Sequence, residues 1–196
     1  MITVLSDIYP AVERFEILQW LRLPEGSCGQ SENALLDTLA SSATVAIEER
    51  LKRKMVSAEI LKEAKHWSRK IPLPWSPLIQ IESFEYVDKE GATVTVDNDL
   101  YEVIENARPA YIRFKDSLSK LPDLNDDMEY PIQIRYTVGE ASEAINVPKN
   151  YKQAILMAVA SGYMNRASLS SKTLQTEAME HYINQILMNK RVMRFG

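Results

Sequence analysis

Ile71-Pro72-Leu73-Pro74-Trp75-Ser76-Pro77 admits no helix. Each proline ring fixes φ, removes a backbone N–H and pushes the residue before it towards extended backbone. Working outward, the residues that follow read as strands. Leu78 to Val87, Thr93 to Val96, Tyr101 to Ile104, Tyr111 to Phe114 and Ile132 to Val138 are rich in β-branched and aromatic side chains, which suit a pleated, half-buried surface. The last segment alternates cleanly. Ile132, Ile134, Tyr136 and Val138 point one way and Gln133, Arg135 and Thr137 the other, as in an antiparallel strand with one wet face. Asp88-Lys89-Glu90-Gly91 joins two strand signals and reads as a hairpin turn with Gly91 free to take positive φ.

Before the proline run the period is helical. From Pro10 to Leu23, Val12, Phe15, Leu18 and Leu21 recur at helical spacing with Ile17 and Trp20 beside them, and Pro24-Glu25-Gly26-Ser27 ends the segment. Leu36, Leu39, Ala43, Ile47 and Leu51 put one stripe on a second, longer helix. Glu48 and Glu49 precede Lys52 and Arg53 by four residues, so Arg50–Lys54 reads as a solvated, paired face at the negative helix end. Helical period returns after Asn146-Val147-Pro148, where Asn146 suits a cap and Pro148 an early helix position. Tyr151, Ile155, Ala158, Val159, Gly162 and Tyr163 form its stripe, and Leu174, Ala178, Tyr182 and Ile186 mark a final helix. The expected class is α+β: a mainly helical core of N-terminal and long C-terminal helices with an inserted antiparallel β-sheet. The expected organisation is an N-terminal helix and arm at 1–30, a main domain at 31–190 with the β insert at about 58–140, and a tail at 191–196.

The 196 residues carry 45% hydrophobic and 26% charged side chains, enough to bury a core without staples. A lone Cys28 would supply none. Mean hydropathy is −0.25 and no apolar run approaches the ~18 residues of a spanning helix, so no membrane partner is expected. The N-terminus lacks the charged-then-apolar layout of a signal peptide, which predicts a chain that folds in a reducing cytoplasm. Net charge is −4, from 23 Lys+Arg against 27 Asp+Glu, the opposite of a phosphate-gripping footprint.

No constellation of catalytic type stands out. His66 and His181 are far apart and have no ligand-type residues at metal-binding spacing. Nothing places a base beside Cys28. Asp123, Asp126, Asp127 and Glu129 lie in an acidic stretch from Lys120 to Tyr130 that lacks the residue order and central glycine of a calcium loop. Gly139 precedes Glu140, which would repel phosphate, and no nucleotide-binding fingerprint occurs. Trp67, Trp75 and Tyr86 lack interleaved Arg and Lys and read as core or interface anchors. No cofactor and no metal is expected.

Several segments together carry a resemblance. Asn33-Ala34-Leu35-Leu36 through Ile47-Glu48-Glu49-Arg50, the proline run through Leu78, and Phe84 to Gly91 occur in that order. Ile132 to Gly139, Val147-Pro148, Lys152 to Leu156 and Tyr163-Met164-Asn165-Arg166 follow. In order and spacing, from about Leu18 to Arg166, the chain resembles the tailed-phage head–tail connector (adaptor) proteins of phage and gene-transfer-agent particles. It departs from them at Glu140-Ala141-Ser142, where an aromatic-glycine pair is usual, and in a longer final helix.

The resemblance implies a structural virion protein with no active site. It would be made in the bacterial host cytoplasm and placed at the virion neck, as a dodecameric ring beneath the portal that extends the DNA channel and provides the platform for tail attachment. Its implied partners are further copies of itself, the portal protein, a stopper or other neck or tail protein, and double-stranded DNA passing without specific binding. A closed ring of this kind needs two different complementary faces on each subunit. Asp123, Asp126, Asp127 and Glu129 are candidates to line the lumen, an outward-facing loop being the other reading. Arg191, Val192, Met193, Arg194 and Phe195 are candidates for portal docking, the other reading being a chain end that frays. The rival functions are a stopper or tail-completion protein, and a small enzyme whose site the sequence does not reveal.

Overall fold

The computed structural model describes residues 1–6, 9–115, 121–164 and 184–185. In chain order the elements are β1 (Ile2–Val4), α1 (Arg14–Leu21), α2 (Gln30–Leu51), β2 (Ala58–Ala64), β3 (Lys70–Pro72) and β4 (Leu78–Val87). They continue with β5 (Thr93–Thr95), β6 (Tyr101–Ile104), β7 (Tyr111–Phe114), β8 (Ile132–Val138) and α3 (Lys149–Met164). The described residues fall into two compact units. One contains the β-strands, from residues 1–6, 57–115 and 121–139; the other contains the helices, from residues 9–56, 140–164 and 184–185.

The β unit holds a five-stranded antiparallel sheet in the order β1-β2-β8-β4-β5 and a three-stranded antiparallel sheet in the order β3-β7-β6. β8 is central, and its alternation is realised: Ile132, Ile134, Tyr136 and Val138 are fully buried. They share one core with Ile60, Ile71, Leu73, Phe84, Ile112 and Phe114. Trp67 closes this core edge-on against Phe84, Tyr86 and Phe114, while its indole N–H donates to the Pro122 carbonyl at 2.8 Å. A partly buried indole finds such a partner because an orphaned N–H would cost free energy. Burial pushes the Tyr136 hydroxyl well above its ordinary pKa; that hydroxyl donates to the Pro74 carbonyl at 2.8 Å. Desolvation lowers Lys62, whose ammonium donates to the Pro72 carbonyl. At the hairpin between β4 and β5, Gly91 takes φ +84° and donates its N–H to the Asp88 carbonyl.

In the helical unit Leu36, Ala40, Ile47 and Leu51 of α2 and Tyr151, Ala154, Ile155 and Val159 of α3 belong to one buried cluster, with Ala11, Val12 and Ile17. α1 is shorter than its pattern suggests. Glu13 stands at its N-cap, its backbone N–H bonded to the Glu16 carboxylate at 2.8 Å, and Arg22 ends it in left-handed conformation. Ile17 takes the buried position while Phe15 and Trp20 are exposed. Asn146 does not cap α3. It ends a 3-10 turn, and the Pro148 carbonyl accepts the first helical bonds, from Tyr151 and Lys152.

Among the described residues the chain is mixed α+β: three helices and two antiparallel sheets. Among the described residues the mainly helical weighting expected from sequence is not confirmed, and the strands form two sheets where one was expected. Three strands, β1, β2 and β3, lie in segments with no clear strand signal. Of the final helix expected around Leu174 to Ile186, only Asn184 and Gln185 are among the described residues, and both are helical.

Candidate functional site

A cluster of buried and partly buried polar side chains forms where α2 ends. The helix stops at Leu51 because Lys52 turns left-handed at φ 54°, which sends Arg53 and Lys54 inward instead of into solvent. Lys54 Nζ donates to Glu48 Oε2 at 2.8 Å and the Met55 N–H to Glu48 Oε1 at 2.9 Å. Arg53 Nε donates to Glu140 Oε1 at 2.7 Å, and the Tyr151 hydroxyl donates to the same oxygen at 3.3 Å. Backbone bonds from Glu140 to Lys54 and from Ala141 to Met55 run alongside, and Val56 bridges Ala141 in parallel. The cluster therefore clamps together the two points at which the chain leaves the helical unit and returns to it. A solvated Arg50–Lys54 face, expected from sequence, is corrected for Arg53 and Lys54, which are only 8% exposed. Lys52 keeps a surface role, paired with Glu49. The buried Glu48 and the partly buried Glu140 are each matched by a cation. An ion pair so desolvated costs several kcal/mol to break from one side, so the arrangement is suited to holding the fold.

The acidic loop is built differently. The Asn125 side chain accepts the N–H groups of Asp127 and Met128 at 2.9 and 3.1 Å, and the Asn125 N–H donates to the Val87 carbonyl at 3.0 Å. This geometry leaves Asp123, Asp126, Asp127 and Glu129 all exposed. Asp123 faces Lys89 at 3.7 Å, and Glu129 raises the pKa of Tyr130 by accepting its hydrogen bond. The four are on one loop but converge on no common point; among the described residues no three His, Cys, Asp or Glu side chains form a group able to hold a metal ion. His66 lies exposed just beyond β2. Cys28 packs against the helical core, with Ser27 Oγ 3.9 Å away. No helix among the described residues is long and apolar enough to cross a membrane. Arg191, Val192, Met193, Arg194 and Phe195, and His181, lie outside the described residues.

The five-stranded sheet ends in two edges that sequence reading did not single out. On β1 the Leu5 N–H donates to Glu59 and the Met1 carbonyl accepts from Glu63, so alternate residues bond inward and the backbone groups of Ile2 and Val4 point away from the sheet. On β5 the Val96 N–H donates to Phe84 and the Ala92 carbonyl accepts from Asp88, which leaves Thr93 and Thr95 pointing outward. Ile2 and Val4 oppose Lys62 and Ile60, hence they continue the core face of the sheet, yet they stay 47% and 37% exposed. The only sequence signal for β1 is a short β-branched run, Ile2-Thr3-Val4, below the length at which a strand is readable.

No protein-family model matches the sequence, and no curated protein is similar to it by sequence. Solved structures are similar in fold. A chain from the neck of an empty gene transfer agent (GTA) particle, computed with C6 symmetry, superposes with TM-score 0.80 at 18% identity, covering 100% of this chain and 97% of that one. A chain from the virion of the native GTA particle gives 0.78 at 18% identity, with the same coverage of both chains. One from the neck of the native particle, computed with C12 symmetry, gives 0.74 at 16%, again over 100% and 97%. At these identities the likeness establishes a shared fold along the whole chain.

Proposed function

We propose that this protein is a structural component of the neck of a tailed phage or phage-like particle, a head–tail connector whose copies form a ring beneath the portal. The observation that carries the reading is the full-length likeness to a chain from a GTA neck at TM-score 0.80. The order of sequence motifs that resembles the adaptor proteins supports the connector role. The C12 symmetry of the related neck supports a ring of twelve copies. In this reading the protein works through its surfaces and has no catalytic step. Asp123, Asp126, Asp127 and Glu129 line the channel, where negative charge lets DNA pass without capture by Lys or Arg and the counterion release that capture drives. Arg191 to Phe195 dock on the portal.

Particles produced with the gene deleted, viewed by electron microscopy, test this. Full heads without tails are the expected result, and normally tailed particles would overturn it. Cross-linking within intact particles tests the placement. Links to the portal are expected, whereas links to tail proteins alone would move the chain to the stopper position. Deleting Val192 to Gly196 should leave a folded protein that no longer links to the portal.

A further inference from the structure

We propose that neighbouring copies in this ring join through the two edges of the five-stranded sheet, β5 of one copy pairing in parallel with β1 of the next. This deepens the ring reading and rests on it. Open strand edges are templates for another strand, and proteins that keep them unpaired protect them with proline, charge or bulges. The smaller sheet does so. On β3 the outward positions are Lys70 and Pro72; the proline has no N–H and its carbonyl is taken by Lys62. Its other edge, β6, carries Glu102 and is flanked by Glu105. Among the described residues, the edge strands of the larger sheet carry no such protection within themselves. β1 reads Ile2-Thr3-Val4 and β5 reads Thr93-Val94-Thr95, without charge or proline, so no like charges meet if these edges come together.

The two edges also match in parity. All neighbours in the five-stranded sheet are antiparallel, so with five strands β1 and β5 run the same way, and head-to-tail continuation makes their junction parallel. In a parallel pair a residue that faces the partner strand bonds to the two neighbours of the residue opposite it. Thr93 or Thr95 would thus bond to Ile2 and Val4 of the next copy and stand opposite Thr3. The faces agree: Thr95 and Thr3 oppose Glu85 and Leu61 on the side away from the core, while Val94 opposes Tyr86 on the core side, as Ile2 and Val4 do Lys62 and Ile60. The junction would cover the exposed Ile2 and Val4 with Val94. It also meets the requirement of a closed heterologous ring that the two contacting surfaces differ.

The test uses the full chain in a Cys28→Ser background. Adjacent strands lie ~4.8 Å apart, within disulfide reach. Thr3→Cys combined with Thr93→Cys or with Thr95→Cys should give, on mild oxidation of concentrated protein or of particles, a ladder of linked oligomers. Thr3→Cys alone should stay unlinked. A dimer from Thr3→Cys alone would mean two-fold pairing of β1 with β1 and would overturn the proposal, as would absence of the ladder from both double variants. Val4→Pro removes one outward N–H without touching the β1–β2 ladder. It should keep the wild-type circular dichroism spectrum and lower the ring-sized fraction at least tenfold; rings at the wild-type level would overturn the proposal. If Val4→Pro does not fold, the cysteine ladder decides. Failure of the neck reading looks different: the wild-type chain is absent from particles, while the double-cysteine variants still form the ladder in concentrated solution.

Discussion

Glu48 illustrates how much one side chain can carry. It sits on α2 at a position that reads from sequence as part of a charged surface turn, yet it is 4% exposed and holds both the Lys54 ammonium and the Met55 N–H. Glu48→Ala would remove the carboxylate that pairs with the buried Lys54 ammonium and leave the Met55 N–H without its acceptor, and the expected loss is about 3 kcal/mol, roughly 6–12 °C in Tm for a chain of this size. Glu49→Ala, which removes a solvated pair with Lys52, should change Tm by no more than about 2 °C. Thermal melts of the two variants beside wild type check the contrast, and equal losses would contradict it. Tyr136 gives a pH signature. Its folded pKa is raised, so the neutral hydroxyl is favoured in the native state. The stability this supplies is fully present below pH 10, where the unfolded hydroxyl is also neutral, and is lost as pH rises from there through the raised folded value. Tyr136→Phe should cost about 1 kcal/mol at neutral pH for the lost bond to Pro74 and flatten the fall in stability above pH 10. Urea unfolding at a series of pH values reads both effects; a fall as steep as wild type would contradict the assignment.

At the scale of elements, the strands with alternating β-branched and aromatic residues are where their sequences put them. β4, β6, β7 and β8 match the expected segments residue for residue. β2 falls at the start of the β insert expected from about residue 58, but its own residues carry no strand signal. Ala58-Glu59-Ile60-Leu61-Lys62-Glu63-Ala64 is composed mostly of good helix formers. It is a strand because β1 and β8 pair with it along both sides, and pairing overrides intrinsic preference. β1 and β3 are too short to show a period. α2 was legible in its stripe but not in its ending, because the left-handed turn at Lys52 is fixed by Glu48 and Glu140, the latter far along the chain. That same clasp makes an element-level prediction. With Glu140 N–H bonded to the Lys54 carbonyl at 3.0 Å, the two ends of the 57–139 segment are already closed, and a short Gly-Ser linker in its place costs little loop entropy. A variant with that replacement and without residues 1–8 should keep a helical spectrum and unfold cooperatively. A flat, non-cooperative melt would show that the helices need the β unit to fold.

For the whole molecule, the sequence by itself determined the mixture of helix and strand, the break at the proline run, the wet and dry faces of β8 and the exposed acidic loop. Each of these follows from local sterics or from a period of two or about 3.6 residues, and both are properties of consecutive residues. The resemblance to head–tail connectors was legible in the same way, as an order of short segments. It is at the molecular scale that the neck reading is tested, by the tailless heads expected on gene deletion. Only the tertiary structure decided the rest. It turned Arg53 and Lys54 from surface cations into buried clamps, paired β2 on both sides, separated the strands into two sheets, and left Ile2, Val4, Thr93 and Thr95 on edges that no other described strand pairs. The reason is physical: burial, strand partners and unpaired backbone groups are set by residues distant in the chain, and no window of sequence contains both members of such a contact.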